Sequence, residues 1–317
     1  MAILACVLLL AGCREEQSTL RPDSDAARTI ATQWWVLFSV SVAVVAVVTL
    51  LVLVSLLKRR GRFDRVDRSH ASPAFVLVSG AAIPAVVLVA LFVYALSTLD
   101  VTSEPAPGAT RMTIEVVGKQ WFWDVRYQQQ GIRTANELHI PVGVPVRIQA
   151  RTDDVIHSFW VPRLNRKIDM VPGYDNSIVL QADRRGVYRG QCAEYCGLQH
   201  ANMAFYVVAE SRARFDRWVR RERRRPRGGM PGEDLFTSVG CSGCHRVAGV
   251  SEGGIGPDLT HVASRMTLAA GTIPNARGWL AGWILDPQHI KPGNKMPALA
   301  LEGDQLQELL DYLERLK

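Results

Sequence analysis

Two long apolar runs dominate the first third of the chain, with no charged side chain from Gln33 to Leu57 or from Ala71 to Leu99. Each exceeds the roughly 20 apolar residues that span a bilayer. The pattern predicts a transmembrane hairpin over 30–100, with helices at about 33–57 and 74–99; a buried soluble hairpin is the poorer alternative for runs this long. Pro84 falls within the second run, where neighbouring helices tolerate a kink. Beyond Leu99 the period changes. The Pro- and Gly-containing connector "VTSEPAPGAT" leads into short alternating runs, "MTIEVVG", "ELHIPVG", "PVRIQA" and "SIVLQA", broken by turn residues. They predict a compact all-β sandwich over 108–210. From 230 to 317 the helical period returns in "GEDLFTSVG" and "EGDQLQELLDYLERLK", where Leu306, Leu309, Leu310 and Leu313 share one face and read as core. The fold class is thus multidomain: a two-helix hairpin, an all-β sandwich and a small all-α domain.

Charge orients this arrangement. The loop "KRRGRFDRVDR" sets Lys58, Arg59, Arg60, Arg62, Arg65 and Arg68 against Asp64 and Asp67, which places it on the cytoplasmic side and both termini outside. Everything after Leu99 then lies in an exported compartment, where free thiols usually pair. The opening "MAILACVLLLAGCR" is similar to a secretory signal over 1–13 ending in a lipobox, and by resemblance to bacterial lipoproteins Cys13 becomes a lipid-modified N-terminus. An uncleaved apolar tip is the alternative, because no basic residue precedes the apolar run. Nine arginines from Arg212 to Arg227 face only Asp216 and Glu222; the first half of this 211–229 linker suits a short amphipathic helix through Phe215 and Trp218. A net charge of +7 invites a nucleic-acid partner, but the outside location excludes a useful one, and membrane lipid or plain solvent suits the basic stretch better.

Cys241 to His245 read "CSGCH", the C-x-x-C-H pattern of c-type haem attachment: Cys241 and Cys244 form thioethers and His245 is an axial ligand. No second thiol pair lies nearby to complete a zinc set. A methionine opposite the histidine gives the ligation an electron carrier needs. Met296, in the Pro/Gly-rich loop before the last helix, is the first choice, with Met266 and His261 as rivals. "GPDL" at Gly256 to Leu259 and "KMP" at Lys295 to Pro297 add a resemblance to class I cytochrome c.

A second constellation lies in "QCAEYCGLQHANM", Gln191 to Met203, joined by His157 in "DDVIHSFW". Cys192, Cys196, His157, His200 and Met203 supply two thiolates, two imidazoles and a thioether, the donor set copper prefers. A mononuclear blue-copper site needs one cysteine; a second lets both sulfurs bridge two copper ions, each capped by one histidine, with Met203 and a backbone carbonyl as weak outer ligands. A plain Cys192–Cys196 disulfide is the alternative, which leaves both histidines and Met203 without a reason.

These residues carry a wider resemblance. "VYRGQCAEYCGLQHANM", "DDVIHSFWVP", "KIDMVPG" and "GKQWFWDVRY" resemble the dinuclear copper (CuA) domain of cytochrome c oxidase subunit II, a cupredoxin-like sandwich. The hairpin matches that subunit, and the haem domain matches its caa3-type fusion form. The resemblance implies that the backbone oxygen of Glu194 completes the copper site and that its carboxylate contacts magnesium at the border with subunit I. It implies that electrons enter at Trp121, and it places Asp154 and Asp169 near the subunit interface, although ordinary turn capping explains either acid as well. It further implies a multi-pass subunit of the bacterial inner membrane, with its redox domains on the periplasmic side and subunits I and III as partners. A soluble or membrane cytochrome c, or an upstream bc complex, is then the donor, and electrons pass through haem c and CuA to subunit I, where oxygen is reduced to water. One departure stands out: the family glutamate for proton uptake, seven residues before the helix proline, is Leu77 here. A subunit of a CuA-containing nitric oxide reductase is the alternative function, and a membrane-anchored copper carrier is an alternative of another class, against which "CSGCH" argues.

Overall fold

The computed structural model describes residues 15–59, 73–102, 110 and 112–317. The signal with Cys13, and the loop arginines from Arg60 to Arg68, lie outside the described residues. The chain divides into a helical unit, 28–103, and a second unit made of the remainder.

In the helical unit, α1 (Asp25–Arg59) is followed by α2 (Pro73–Leu77), a π-helical turn at Val78–Ala82 and α3 (Ile83–Thr102). Helix α1 begins well before the charge-free run, because Asp25 in its first turn favours the helix N-terminus; the apolar run marks what suits lipid, not where the helix starts. Both helices are long and apolar enough to cross a membrane, over Asp25–Leu57 and Pro73–Leu99. Thr98 Oγ1 donates to Gln33 Oε1 at 3.1 Å, joining the helices by a polar bond of the kind that helps pair helices in lipid. Pro84 has no N–H and crowds the carbonyl four residues back. The chain takes this up in the widened turn just before it, where the Ile83 N–H reaches the Val78 carbonyl.

Ten strands of the second unit form two five-stranded sheets. One runs in the order β3 (Ile132–Ala135), β2 (Phe122–Tyr127), β1 (Met112–Lys119), β5 (Val146–Thr152), β8 (Asn176–Leu180). The other runs β4 (Glu137–Pro141), β10 (Ala204–Glu210), β9 (Gly186–Cys192), β6 (His157–Trp160), β7 (Ile168–Met170). Only β1/β5 and β4/β10 pair in parallel among these neighbours. Alternation along β5 buries Val146, Ile148 and Ala150 between the sheets. Trp123, Phe159 and Phe205 fill the centre, with ring centroids of Phe159 and Phe205 4.6 Å apart. The strand ends above this aromatic core carry the cysteine loop.

The basic stretch after β10 is only half a linker. Helix α4 (Arg212–Glu222) buries Phe215 and Trp218 against the sandwich, and Trp218 stacks on His139 with centroids 4.4 Å apart. The arginines occupy its other face. The last domain comprises α5 (Glu233–Ser238), α6 (Cys241–Cys244), α7 (Arg277–Leu285), α8 (Pro287–Ile290) and α9 (Gly303–Arg315). It adds two short ladders to the expected all-α pattern, β11 (Arg246–Val247) with β12 (Ser251–Glu252) and β13 (Thr267–Leu268) with β14 (Ile273–Pro274). Glu302 and Gln305 form a capping box at the start of α9. Leu309, Leu310 and Leu313 are buried with Phe236, Leu280 and Ile284, and Leu306 is partly buried.

Candidate functional site

The cysteine loop returns from β9 to β10 so that five side chains from three segments converge. Cys192 ends β9, and Cys196 follows in the turn, with the two Sγ atoms 3.7 Å apart and both thiols free. His157, fully buried on β6, places Nδ1 3.8 Å from Cys192 Sγ. His200, in the 3-10 turn His200–Asn202, places Nδ1 3.7 Å from Cys196 Sγ. The buried Met203 sulfur lies 3.8 Å from Cys196 Sγ, and the Glu194 carbonyl 3.2 Å from Cys192 Sγ. Two thiols, each with its own imidazole, a thioether on one side and a carbonyl on the other, make a soft donor set suited to copper. The contact with Cys196, aided by His157 against the cost of burial, holds Cys192 well below the usual thiol range, while the same contact pushes Cys196 up.

Asp154 sets the orientation of His157. The His157 Nε2–H donates to Asp154 Oδ1 at 2.8 Å, leaving Nδ1 toward the thiols. The same carboxylate accepts from the Gln120 and Val155 amides at 2.7 Å each. Burial opposes the charge, but the His157 bond and the two amides hold Asp154 down at about 2. Turn capping and histidine orientation are therefore one interaction network. Across the ring, a Cβ on Gly118 would lie 3.0 Å from two carbons of the His157 imidazole, so glycine there leaves room for the ring. Asp169 lies apart, with its carboxylate 3.8 Å from Lys167 Nζ; Glu194 Oε2 is 3.5 Å from the same ammonium.

Trp121 stands in the turn between β1 and β2. Its indole N–H donates to the Cys196 carbonyl at 3.0 Å, and Gln120 Nε2 donates to the same oxygen at 2.8 Å. Its other side forms a wall of an open cleft, together with Cys241, Cys244, His245 and Met296. His245 Nδ1–H donates to the Pro257 carbonyl at 2.8 Å, which leaves Nε2 as the ligating nitrogen. Burial lowers the affinity of this ring for a second proton, so it stays neutral. Gly256 is required here: a Cβ would sit 2.6 Å from His245 Cε1. Thus "GPDL" supplies both the space for the imidazole and the carbonyl that fixes its tautomer. The rivals of Met296 lie away from the cleft walls: the Met266 N–H donates to Glu137, and buried His261 pairs through Nε2 with the Glu222 carbonyl. Gln120 and Lys291 escaped sequence reading, because nothing local marks a glutamine before a tryptophan or a lysine in a turn.

Residues 128–211 match the family described as cytochrome C oxidase subunit II, periplasmic domain, and residues 230–317 match the cytochrome c family. The chain is 33% identical to a cytochrome c oxidase subunit 2 of Alkalihalophilus pseudofirmus, over 98% of this chain and 94% of that protein. It is 31% identical to the corresponding subunit from a Bacillus species, again over 98% and 94%. Among solved structures, the periplasmic domain of subunit II of the Bradyrhizobium japonicum cytochrome oxidase is 31% identical and covers 36% of this chain and 94% of its own, with a TM-score of 0.35.

Proposed function

The chain belongs to the cytochrome c oxidase subunit II family, in a form that carries a cytochrome c domain, and from that membership we propose that it carries electrons from an external donor through its haem-binding domain to a dinuclear copper site. Such subunits are components of haem-copper oxidases, which are oxidoreductases. When bound, haem c and the copper pair supply the one-electron redox chemistry that no amino-acid side chain here provides. Cys241, Cys244, His245 Nε2 and Met296 would hold the haem. Cys192, Cys196, His157 Nδ1, His200 Nδ1, Met203 and the Glu194 carbonyl would hold the copper.

The protein's own work is positional. Asp154 and Pro257 fix the His157 and His245 imidazoles, Gly118 and Gly256 leave room for them, and the paired strands β9 and β10 hold both ends of the cysteine loop. Trp121 joins the cleft wall to the Cys196 carbonyl in a single side chain, which suits it to conduct between the two sites. Subunits I and III, with oxygen reduction in subunit I, complete the proposed complex. The two apolar helices fit a membrane-anchored subunit with a periplasmic domain, and the bacterial inner membrane is its proposed place. A lipid on Cys13 is tested by mass spectrometry of the mature N-terminus. The Glu194 carboxylate would exchange Lys167 for magnesium at the subunit I border.

The observation that carries the reading is the pair of thiols 3.7 Å apart, each with an imidazole nitrogen at 3.7–3.8 Å. Electron paramagnetic resonance of the copper-loaded protein should show one unpaired electron shared over two coppers. A single-copper pattern would refute the bridged pair, and a complex that turns over nitric oxide but takes up no oxygen would reassign the partner enzyme.

A further inference from the structure

The sandwich and the haem-binding domain meet through the loops that bear their candidate ligands. Lys291, just beyond α8, is 2% exposed there. Its Nζ donates to the carbonyls of Trp121 at 2.9 Å, Asn202 at 2.7 Å and Ala269 at 3.1 Å. Three N–H groups meeting three carbonyls is the full complement of an ammonium. The acceptors come from three places: the β1–β2 turn, the loop between His200 and Met203, and the β13–β14 turn of the lysine's own domain. We propose that Lys291 is a positioning residue that locks the haem-binding domain onto the copper-binding domain, fixing the Met296 loop against the cysteine loop and Trp121.

Neighbouring contacts follow the same seam. Gln199 Nε2 donates to the Pro292 carbonyl at 2.7 Å, the Ala204 N–H to the Ala270 carbonyl at 3.0 Å, and the Met266 N–H to Glu137 at 2.6 Å. A Cβ on Gly293 would come within 2.8 Å of Leu198 Cδ1, so the Leu198 side chain lies against this backbone. Ala269 and Ala270 hold φ of 51° and 57°, a left-handed conformation that alanine rarely adopts. Their carbonyls accept from Lys291 and from Ala204, so the turn that closes the seam is held by it. Burial pulls the lysine down to about 7, and three carbonyl dipoles at bonding distance act to keep its proton. The side chain is thus a joint: its removal takes the ammonium from all three carbonyls and leaves those of Ala269 and Asn202 only the Thr272 hydroxyl, at 2.7 and 3.5 Å.

The functional consequence rests on the electron route proposed above, but the lock itself is read without electron transfer. The test is amide hydrogen exchange on the intact oxidase complex, following peptides that contain the Ala204 and Met266 amides, which are both bonded across the seam. Exchange there reports how often the domains part. Lys291→Met should speed it at least tenfold while the optical spectrum of the haem and the copper resonance stay unchanged, with Lys291→Arg in between. Unchanged exchange in either variant overturns the proposal; should the methionine variant not assemble, the arginine variant decides by the same measure. Flash reduction of haem in the wild-type complex separates the two ideas: no transfer to copper, with the seam amides protected, sinks the route and leaves the lock standing.

Discussion

Replacing Asp154 by asparagine separates two roles that one carboxylate performs. Asn keeps an oxygen for the Val155 amide, so the turn survives, but it loses the charge that receives the His157 Nε2–H at 2.8 Å. A hydrogen bond to a charged group contributes about 1.5–3 kcal/mol. At about 1.4 kcal/mol per factor of ten, the variant should bind copper about 10- to 100-fold more weakly, as is usual when the partner of a ligating histidine is removed. The carboxylate also accepts from Gln120, whose side chain, like Trp121, bonds the Cys196 carbonyl, so part of the loss should spread to the cysteine loop. The assay is competition with a graded series of copper chelators, read by the resonance of the metal pair, on the full-length protein. Affinity within about threefold of wild type, with an unaltered resonance, would show that Asp154 only caps its turn.

Met296→Ala should abolish the optical signature of His/Met ligation while Met266→Ala leaves it intact; the reverse result would move the axial ligand. Gly256→Ala should yield protein with haem attached but with a disturbed histidine ligand field, since the new Cβ meets the ring at 2.6 Å, and a normal spectrum would show that the loop yields freely. His139, between Glu137 and Glu210, is raised: burial opposes the charge, but the two carboxylates overcome it, and Glu210 is correspondingly lowered. The histidine's contribution is complete below its unfolded value of 6.5 and fades as pH rises through the higher folded value; that of Glu210 is complete above 4.5 and fades below its lowered value. Thermal unfolding of wild type and His139→Gln should therefore differ most between about pH 4.5 and 6.5 and converge above the folded value, whereas parallel profiles would remove the charge from the account.

Much of the site was legible because its chemistry is local. "CSGCH" and the spacing of Cys192, Cys196, His200 and Met203 each name a donor set within one loop, and the apolar runs announce the helical hairpin by length alone. His157 was legible only as a single upstream histidine; the β6–β9 pairing, Phe159 to Cys192, brings its strand to the cysteines. Asp154 reads in the sequence as an acid near the subunit interface or as a turn cap; its bond to His157 is visible only in the structure. In the basic stretch, the spacing of Phe215 and Trp218 marks the amphipathic helix in the sequence, but not the surface that buries them. Lys291 was invisible, since its partners are all backbone carbonyls and no pattern of side chains records them. Domain docking is a property of surfaces assembled from distant segments, and a single sequence encodes it without marking it.

Because α4 is part of the sandwich, only ten residues between Glu222 and Glu233 remain as free tether. Fully extended they reach roughly 33 Å, and so short a flexible leash keeps an effective concentration on the order of millimolar. Contacts with a dissociation constant of about 0.1 mM as separate proteins would then leave roughly ten docked molecules for each open one. The haem-binding module behaves as a captive substrate: its departures are brief, its return needs no collision from solution, and dilution that separates two independent proteins leaves this pair together.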